Sequence, residues 1–448
     1  MSLLLGRAGV CLALLVLIAV SATVARTAEA NTATPKRYVF ANYCVCFASY
    51  GETLDGYKRE IREAQAAGID GFVLDCGAWS NEPHYPRRVK MMLQAAQELG
   101  TDFKYFFEFY GGFSKVEYLF DAIKTYGKHP NYFTYQGRIV VSTWGMDDVA
   151  WKKDVLDPLK QDGYDVYFVP AFYARPNGQA IEQPTYAMQK ENVTKWADLV
   201  DGMFFWGAAG TAEQMSASNS ATTKALHEAK KLSMASVSPV YWGSQQFPQR
   251  RYFETRGGEG TAMQWAAILQ AQPEWLELLT WNDWMESTYL CPVEDPAKYF
   301  GQLTELRRYP HAGYLALNRY YIAWYKTGKQ PPISKDSLYF FYRTHPKDAV
   351  APDDKPVLSQ YGEIADVIYV TTLLTKPAEL RVVSGANAVC IMKVPAGINH
   401  VRVPFAVGAQ HFELYRGDKA LISKDGDPIL DKITKYNFFP TSGFAEAQ

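Results

Sequence analysis

Leu276-Glu277-Leu278-Leu279-Thr280-Trp281-Asn282-Asp283-Trp284-Met285-Glu286-Ser287-Thr288-Tyr289-Leu290-Cys291-Pro292 is the stretch around which the chain is organised. Its first part, with Trp275 ahead of it and running to Trp281, is short, apolar and aromatic and follows Pro273, which predicts a buried strand. Its second part sets two carboxylic acids, Asp283 and Glu286, among Trp281, Trp284 and Tyr289. In an extended chain, residues i and i+3 point to opposite faces. A turn just past the strand brings both acids into one cleft. Two acids in an aromatic cleft are what cleavage of a glycosidic bond requires, one to protonate the leaving oxygen and one to act as base or nucleophile. The spacing alone fits equally a strand end with an Asn-Asp turn and a solvated Glu.

Working outward, strand-like and helix-like blocks alternate. Strands are predicted at residues 38–45, 71–75, 103–109, 138–142, 166–170, 203–206, 234–240 and 275–281. Thr53 reads as the N-cap of a helix carrying Leu54, Tyr57, Ile61 and Ala64, which Gly68 ends. A second helix carries Val89, Met92, Leu93 and Ala96 and stops at Gly100; a third carries Val116, Leu119, Phe120 and Ile123; a fourth covers 148–160. Eight such units predict an α/β fold, a (β/α)8 TIM barrel over residues 31–330. A doubly wound open sheet is the alternative, but no glycine-rich phosphate loop follows the first strand.

Barrel chemistry sits at the C-terminal ends of the strands. Those ends carry Asn42, Asp75, Glu108, Thr143-Trp144, Phe172-Tyr173, Trp206, Tyr241-Trp242 and Asn282-Asp283. Each singly is an ordinary polar strand end; together they suit a carbohydrate cleft better than a nucleotide pocket. The candidate catalytic pair is Asp283 and Glu286. Candidate substrate-binding residues are Asp75, Glu108, Trp206, Trp242, Trp281, Asn282, Trp284 and Tyr289. Asp75 reads equally well as a cap of the next helix, while Glu108 lies between Phe107 and Phe109, where desolvation raises a carboxyl pKa.

Composition narrows the choices. The 448 residues are 48% hydrophobic and 15% aromatic, enough for a large core in two or three domains. Lys plus Arg is 46 against 47 Asp plus Glu, with no block of like charge, which argues against nucleic acid or an anionic membrane as partner. Arg7, the apolar run 10–20 and Ala28-Glu29-Ala30 predict a signal peptide over 1–30, hence a secreted protein with no membrane span after its removal; a retained N-terminal anchor is the alternative. Beyond Cys11, the cysteines are Cys44, Cys46, Cys76, Cys291 and Cys390, which allow one disulfide among the first four or free buried thiols. Their spacing fits no zinc pattern, the 7 His are scattered, and no Gly-x-Ser-x-Gly elbow occurs, so neither metal nor cofactor is expected. Asn192-Val193-Thr194 is a glycosylation sequon. Past an aromatic helix holding Leu315, Tyr320, Tyr321 and Trp324, Pro331-Pro332 marks a boundary. Strands then follow at 367–374, 378–384, 388–394, 399–403 and 411–415, separated by Gly385-Ala386-Asn387, Pro395-Ala396-Gly397 and other turns. They predict a small antiparallel β-sandwich over 331–448.

With these residues in view, the chain resembles glycoside hydrolase family 71, the α-1,3-glucanases or mutanases. The resemblance rests on Val39-Phe40-Ala41, Ala66-Ala67-Gly68-Ile69-Asp70-Gly71-Phe72, His129-Pro130, Val140-Val141-Ser142-Thr143, Val237-Ser238-Pro239, Val394-Pro395-Ala396-Gly397 and, above all, Thr280 to Ser287. It implies a secreted, endo-acting hydrolase of α-1,3-glucan that inverts the anomeric carbon; a monomer is expected. It also implies Glu286 as general acid, Asp283 as base and Asp75 as a further essential acid. The chain departs from the family's pattern at Thr288-Tyr289-Leu290-Cys291-Pro292 and at Tyr110, where an Asp is expected. An endo-α-mannosidase of the family 99 type has a similar Trp-Asn-Glu-Trp motif, but Asp283 replaces that Glu. A non-catalytic glycan-binding barrel is disfavoured by the presence of both acids.

Overall fold

A computed structural model of the chain describes residues 14–16, 36–112, 114–244, 250–303, 305–355 and 359–448. Eight parallel strands form its central wall: β1 (Tyr38–Cys44), β2 (Gly71–Cys76), β3 (Lys104–Tyr110), β4 (Arg138–Trp144), β5 (Val166–Phe168), β6 (Gly202–Phe204), β7 (Leu232–Val237) and β8 (Trp275–Leu278). Their spatial order is β6-β7-β8-β1-β2-β3-β4-β5. The two ends of this order meet, because the Asp201 and Phe204 amides donate to the Phe168 and Pro170 carbonyls at 3.0 and 2.9 Å. The result is a barrel-like mixed α/β wall. Its strands are buried almost throughout, as expected where helices cover one face and side chains fill the other.

The helices are α1 (Leu54–Ala66), α2 (His84–Leu99), α3 (Val116–Tyr126), α4 (Asp157–Gln161), α5 (Tyr186–Trp196), α6 (Ala212–Glu228), α7 (Gly257–Ala271) and α8 (Ala312–Thr327). Thr53 caps α1, its hydroxyl accepting from the Gly56 amide at 3.0 Å. Instead of one helix over 148–160, a π-helical turn at Lys152–Leu156 runs into α4. Pro158 explains the shift: it has no amide to donate, and its ring crowds the preceding turn. β8 ends at Leu278, short of the expected Trp281, because Thr280 exchanges backbone bonds with Thr288 and Leu290 instead of continuing the ladder.

Residues 337–446 supply two antiparallel sheets that share one hydrophobic core. One runs in the order Thr441–Glu446, Ser337–Tyr342, Val367–Leu374, Gly397–Pro404, with Leu14–Val16 at its far edge; the other runs Cys390–Val394, Ala378–Ser384, Gly408–Arg416, Lys419–Ile429. Between them Phe340 stacks on Phe412 at 4.1 Å, with Leu338, Ile368, Leu380 and Leu414 around the pair. The opposite face of the first sheet sends Tyr339, Phe341, Tyr369 and Leu373 into the barrel's own core. The start of α7 is glycine-rich for this contact: a Cβ on Gly258 would lie 2.3 Å from Thr371 Oγ1 and 2.8 Å from the Phe341 ring.

Three expectations need comment. The segment expected as a signal peptide lies outside the described residues except for Leu14–Val16. Cys44, Cys46, Cys76 and Cys291 are free thiols, so the alternative of a disulfide among these four is not realised. Asn192 of the sequon is buried, its amide donating to the Phe172 carbonyl at 2.8 Å, which leaves no room for a glycan in the folded state. Among the described residues, no helix is long and apolar enough to cross a membrane.

Candidate active site

Beyond the last strand the chain folds into a closed loop. The Thr280 amide donates to the Thr288 carbonyl at 2.7 Å, and the Cys291 amide to the Trp281 carbonyl at 2.8 Å. Inside the loop, the Asp283 amide donates to Thr280 Oγ1 (2.8 Å), while Asp283 Oδ1 accepts from the amides of Met285 and Glu286, both at 2.9 Å. Asp283 thus starts a turn in the manner of an N-cap, and that turn swings Glu286 to the same side. Ser287, at φ +65°, ends it in the left-handed region that side chains seldom adopt.

Buried groups fasten this loop to the barrel. Asn282 accepts from the Cys44 amide (2.8 Å) and donates to the carbonyls of Cys44 (3.2 Å) and Phe47 (2.9 Å). The Trp281 indole donates to Glu60 of α1 at 2.9 Å; the same carboxyl receives the hydroxyls of Tyr43 and Ser49, each at 3.1 Å. Trp284 packs on Tyr289 (4.4 Å), which stacks on His311 (4.0 Å), and Arg308 Nε donates to the Trp284 carbonyl at 2.7 Å.

A cleft of about 760 Å³ opens at the C-terminal ends of the strands. Asp283, Glu286 and Asp75 line it, as does Trp206. Across it stands an aromatic wall in which Tyr110 stacks on Trp144 at 4.6 Å, with Tyr173 and Trp206 edge-on to Trp144 at 5.6 and 6.3 Å. Of the other residues expected at the site, Trp242, Trp281, Asn282, Trp284 and Tyr289 are fully buried behind the cleft. Glu108 lies in the barrel interior, the β-ladder partner of Asp75, accepting from Asn42 (3.2 Å) and Ser142 (3.0 Å). Arg251 and Glu182, which line the cleft as an ion pair at 2.8 Å, carried no signal in the sequence, since Glu182 sits in an irregular stretch and Arg251 opens a strand of only three residues, both distant from the motif. Tyr241 stood out only as a strand-end aromatic; here its hydroxyl donates to Glu286 Oε1 at 3.0 Å.

Burial sets the electrostatics. It pushes the Asp75 carboxyl up to about 7, helped by the like charge of Asp283. Asp283 is also raised by burial, against the opposing pull of its two backbone amides and of Arg308. Burial and Asp75 raise Glu108 to about 8 despite Ser142 and Asn42, and burial followed by Glu108 raises Glu277 well above the ordinary carboxylate range. Glu60 also rises to about 8 through burial. The cleft therefore pairs an Asp75 that exchanges its proton near neutral pH with an Asp283 whose amide donors oppose the effect of burial, an arrangement suited to proton transfer to and from a bound sugar.

The description of Glycosyl hydrolase family 71 matches residues 35–448 of this chain. A mutanase of Penicillium rubens is 31% identical over 420 residues, 92% of this chain and 89% of that protein. A glucan endo-1,3-alpha-glucosidase of Schizosaccharomyces pombe is 29% identical over 88% of this chain and 92% of its own length. Among solved structures, an endo-alpha-mannosidase from Bacteroides thetaiotaomicron overlays 66% of this chain and 99% of its own with a TM-score of 0.49 at 15% identity. By the match across its whole described core, this chain belongs to glycosyl hydrolase family 71.

Proposed function

We propose that this protein hydrolyses α-1,3-glucosidic bonds within glucan chains, with inversion at the anomeric carbon. The meeting of Asp283, Glu286 and Asp75 in one aromatic-walled cleft carries the reading, in a chain whose relatives bear the names mutanase and glucan endo-1,3-alpha-glucosidase. Glu286 is the general acid that protonates the leaving glycosidic oxygen. Asp283 is the base: burial makes it a stronger proton acceptor, while the Met285 and Glu286 amides keep its anion available to activate water. Asp75 holds a proton close to neutral pH beside Asp283, and Trp206 offers a flat face to the sugar. The buried Trp281, Asn282, Trp284, Trp242 and Tyr289 act by holding the loop that carries the pair. The scaffold is a closed (β/α)8 barrel over 31–330 followed by a β-sandwich over 331–448. The leader 1–30 is removed on export, giving a secreted monomer.

Proton NMR of the first product released from insoluble α-1,3-glucan tests this reading. A β-anomer is expected. An α-anomer means retention and a different role for Asp283, and release of sugar from yeast mannan but not from the glucan overturns the substrate assignment.

A further inference from the structure

Glu286 is gripped twice by one short strand. The Trp242 amide donates to its backbone carbonyl at 2.8 Å, and the Tyr241 hydroxyl donates to its Oε1 at 3.0 Å. Tyr241–Trp242 pairs antiparallel with Arg251–Phe253, which places Arg251 against the Tyr241 ring, its guanidinium carbon 5.4 Å from the ring centre. The positive charge beside the ring favours the ionised form of the Tyr241 phenol. The far side of the guanidinium is fixed by Glu182, whose two oxygens accept from Nη1 at 3.0 and 2.8 Å. Glu182, Arg251, Tyr241 and Glu286 therefore follow one another along one wall of the cleft, joined by an ion pair, a cation–ring contact and a hydrogen bond.

We propose that Tyr241 and Arg251 are positioning residues for Glu286: Tyr241 holds Oε1 and Arg251 stands behind Tyr241, so that together they fix the carboxyl's orientation in the cleft and set the pH at which it releases its proton. The inference rests on the reading of Glu286 as the general acid; the other titratable groups that face it, Asp75 and Asp283 in the cleft and Cys44, Tyr110 and Tyr173 around it, are the same in every variant below. A hydroxyl that donates to a carboxylate favours the anion, and a cation aligned behind that hydroxyl strengthens the effect. Burial and the neighbouring Glu286 raise the Tyr241 phenol, so it stays a donor throughout the range in which a glycosidase works. Removing the donor makes Glu286 hold its proton to higher pH, while the carboxyl loses its fixed rotamer.

The test is the pH dependence of kcat/KM for soluble α-1,3-glucan oligosaccharides, whose alkaline limb reports the acid of the free enzyme. In Tyr241→Phe the limb is expected to move up by about one pH unit, the worth of roughly one hydrogen bond, and kcat to fall about tenfold with KM little changed. Arg251→Gln moves the limb the same way. Glu182→Gln moves it down, because the Arg251 charge is then no longer neutralised. A purely structural role would lower the thermal midpoint or the amplitude and leave the limb in place. A limb unmoved in Tyr241→Phe, with the fold intact, overturns the positioning role. Glu286→Gln separates the two layers: if it is inactive while Tyr241→Phe keeps the native profile, only the positioning role falls, whereas an active Glu286→Gln removes the acid assignment and the positioning role with it.

Discussion

Glu60 makes a sharp prediction about stability. It is fully buried on α1, takes the Trp281 indole of the loop past the last strand, and holds its proton up to about pH 8, against an ordinary value of 4.5. In the unfolded chain it ionises near the ordinary value. Between pH 4.5 and 8 the folded state thus binds a proton that the unfolded state has released, and stability falls as pH rises through that window. At about 1.4 kcal/mol per pH unit, the loss is at most about 5 kcal/mol by pH 8. A neutral glutamine mimics the protonated acid: its carbonyl in the place of Oε2 accepts the Trp281 N–H and the Ser49 hydroxyl, and its amide in the place of Oε1 donates to the oxygen of Tyr43. Glu60→Gln should cost about 1 kcal/mol at pH 5, where both proteins carry a neutral group. At pH 8 it should be more stable than wild type by several kcal/mol, the sign reversing between. Urea denaturation of both proteins at pH 5, 6, 7 and 8 measures the difference, and the other buried acids cancel in it. Parallel curves across the series would refute the idea that Glu60 is carried as a protonated acid.

Further outcomes can be stated briefly. Asp283→Asn and Glu286→Gln should each lower turnover on α-1,3-glucan by at least ~10²–10⁴-fold with an unchanged melting temperature; near-native turnover in either removes that residue from the chemistry. In Asp283→Asn the like charge beside Asp75 is gone, so the Asp75 carboxyl should titrate below about 7 in a carboxyl-carbon NMR titration, and an unmoved midpoint contradicts the coupling. Asn282→Ala removes the three bonds that tie the loop to Cys44 and Phe47, and should destabilise by about 2–4 kcal/mol while lowering kcat more than KM; a variant of native stability and rate would show the strap to be idle.

The barrel-like wall was legible because its signal is long-range and repeated: hydrophobic blocks alternate in period from Tyr38 to Leu278, and Thr53 and Gly100 punctuate them as caps. The acids were legible because the motif concentrates them past a strand end. What the sequence could not convey was depth. Trp281, Trp284 and Tyr289 look like sugar platforms when written beside two acids, yet period-two alternation stops where the strand does, and in the loop nothing in the spelling separates a ring facing the cleft from one facing the core. Strand Lys419–Ile429 escaped notice for the converse reason: at the edge of its sheet it buries few residues, so it reads as polar loop. The pairing of Arg251 with Glu182 spans stretches without periodicity and is fixed only by the folded chain.

The hairpin of Tyr241–Trp242 and Arg251–Phe253 gains a third, parallel strand from Ser359–Tyr361, with Phe253 stacked on Tyr361 at 4.4 Å and Arg250 bonded to Asp354 at 3.1 Å. Phe438 lies against Trp242 at 5.1 Å, directly behind the strand that grips Glu286. The boundary that composition draws near Pro331 therefore does not bound the cleft. A chain cut there would lose the outer strand of the sheet that holds Glu286, so exchanging the C-terminal region between family members also exchanges the backing of one of the cleft's acids. A chimaera made at that junction should seat Glu286 differently from either parent.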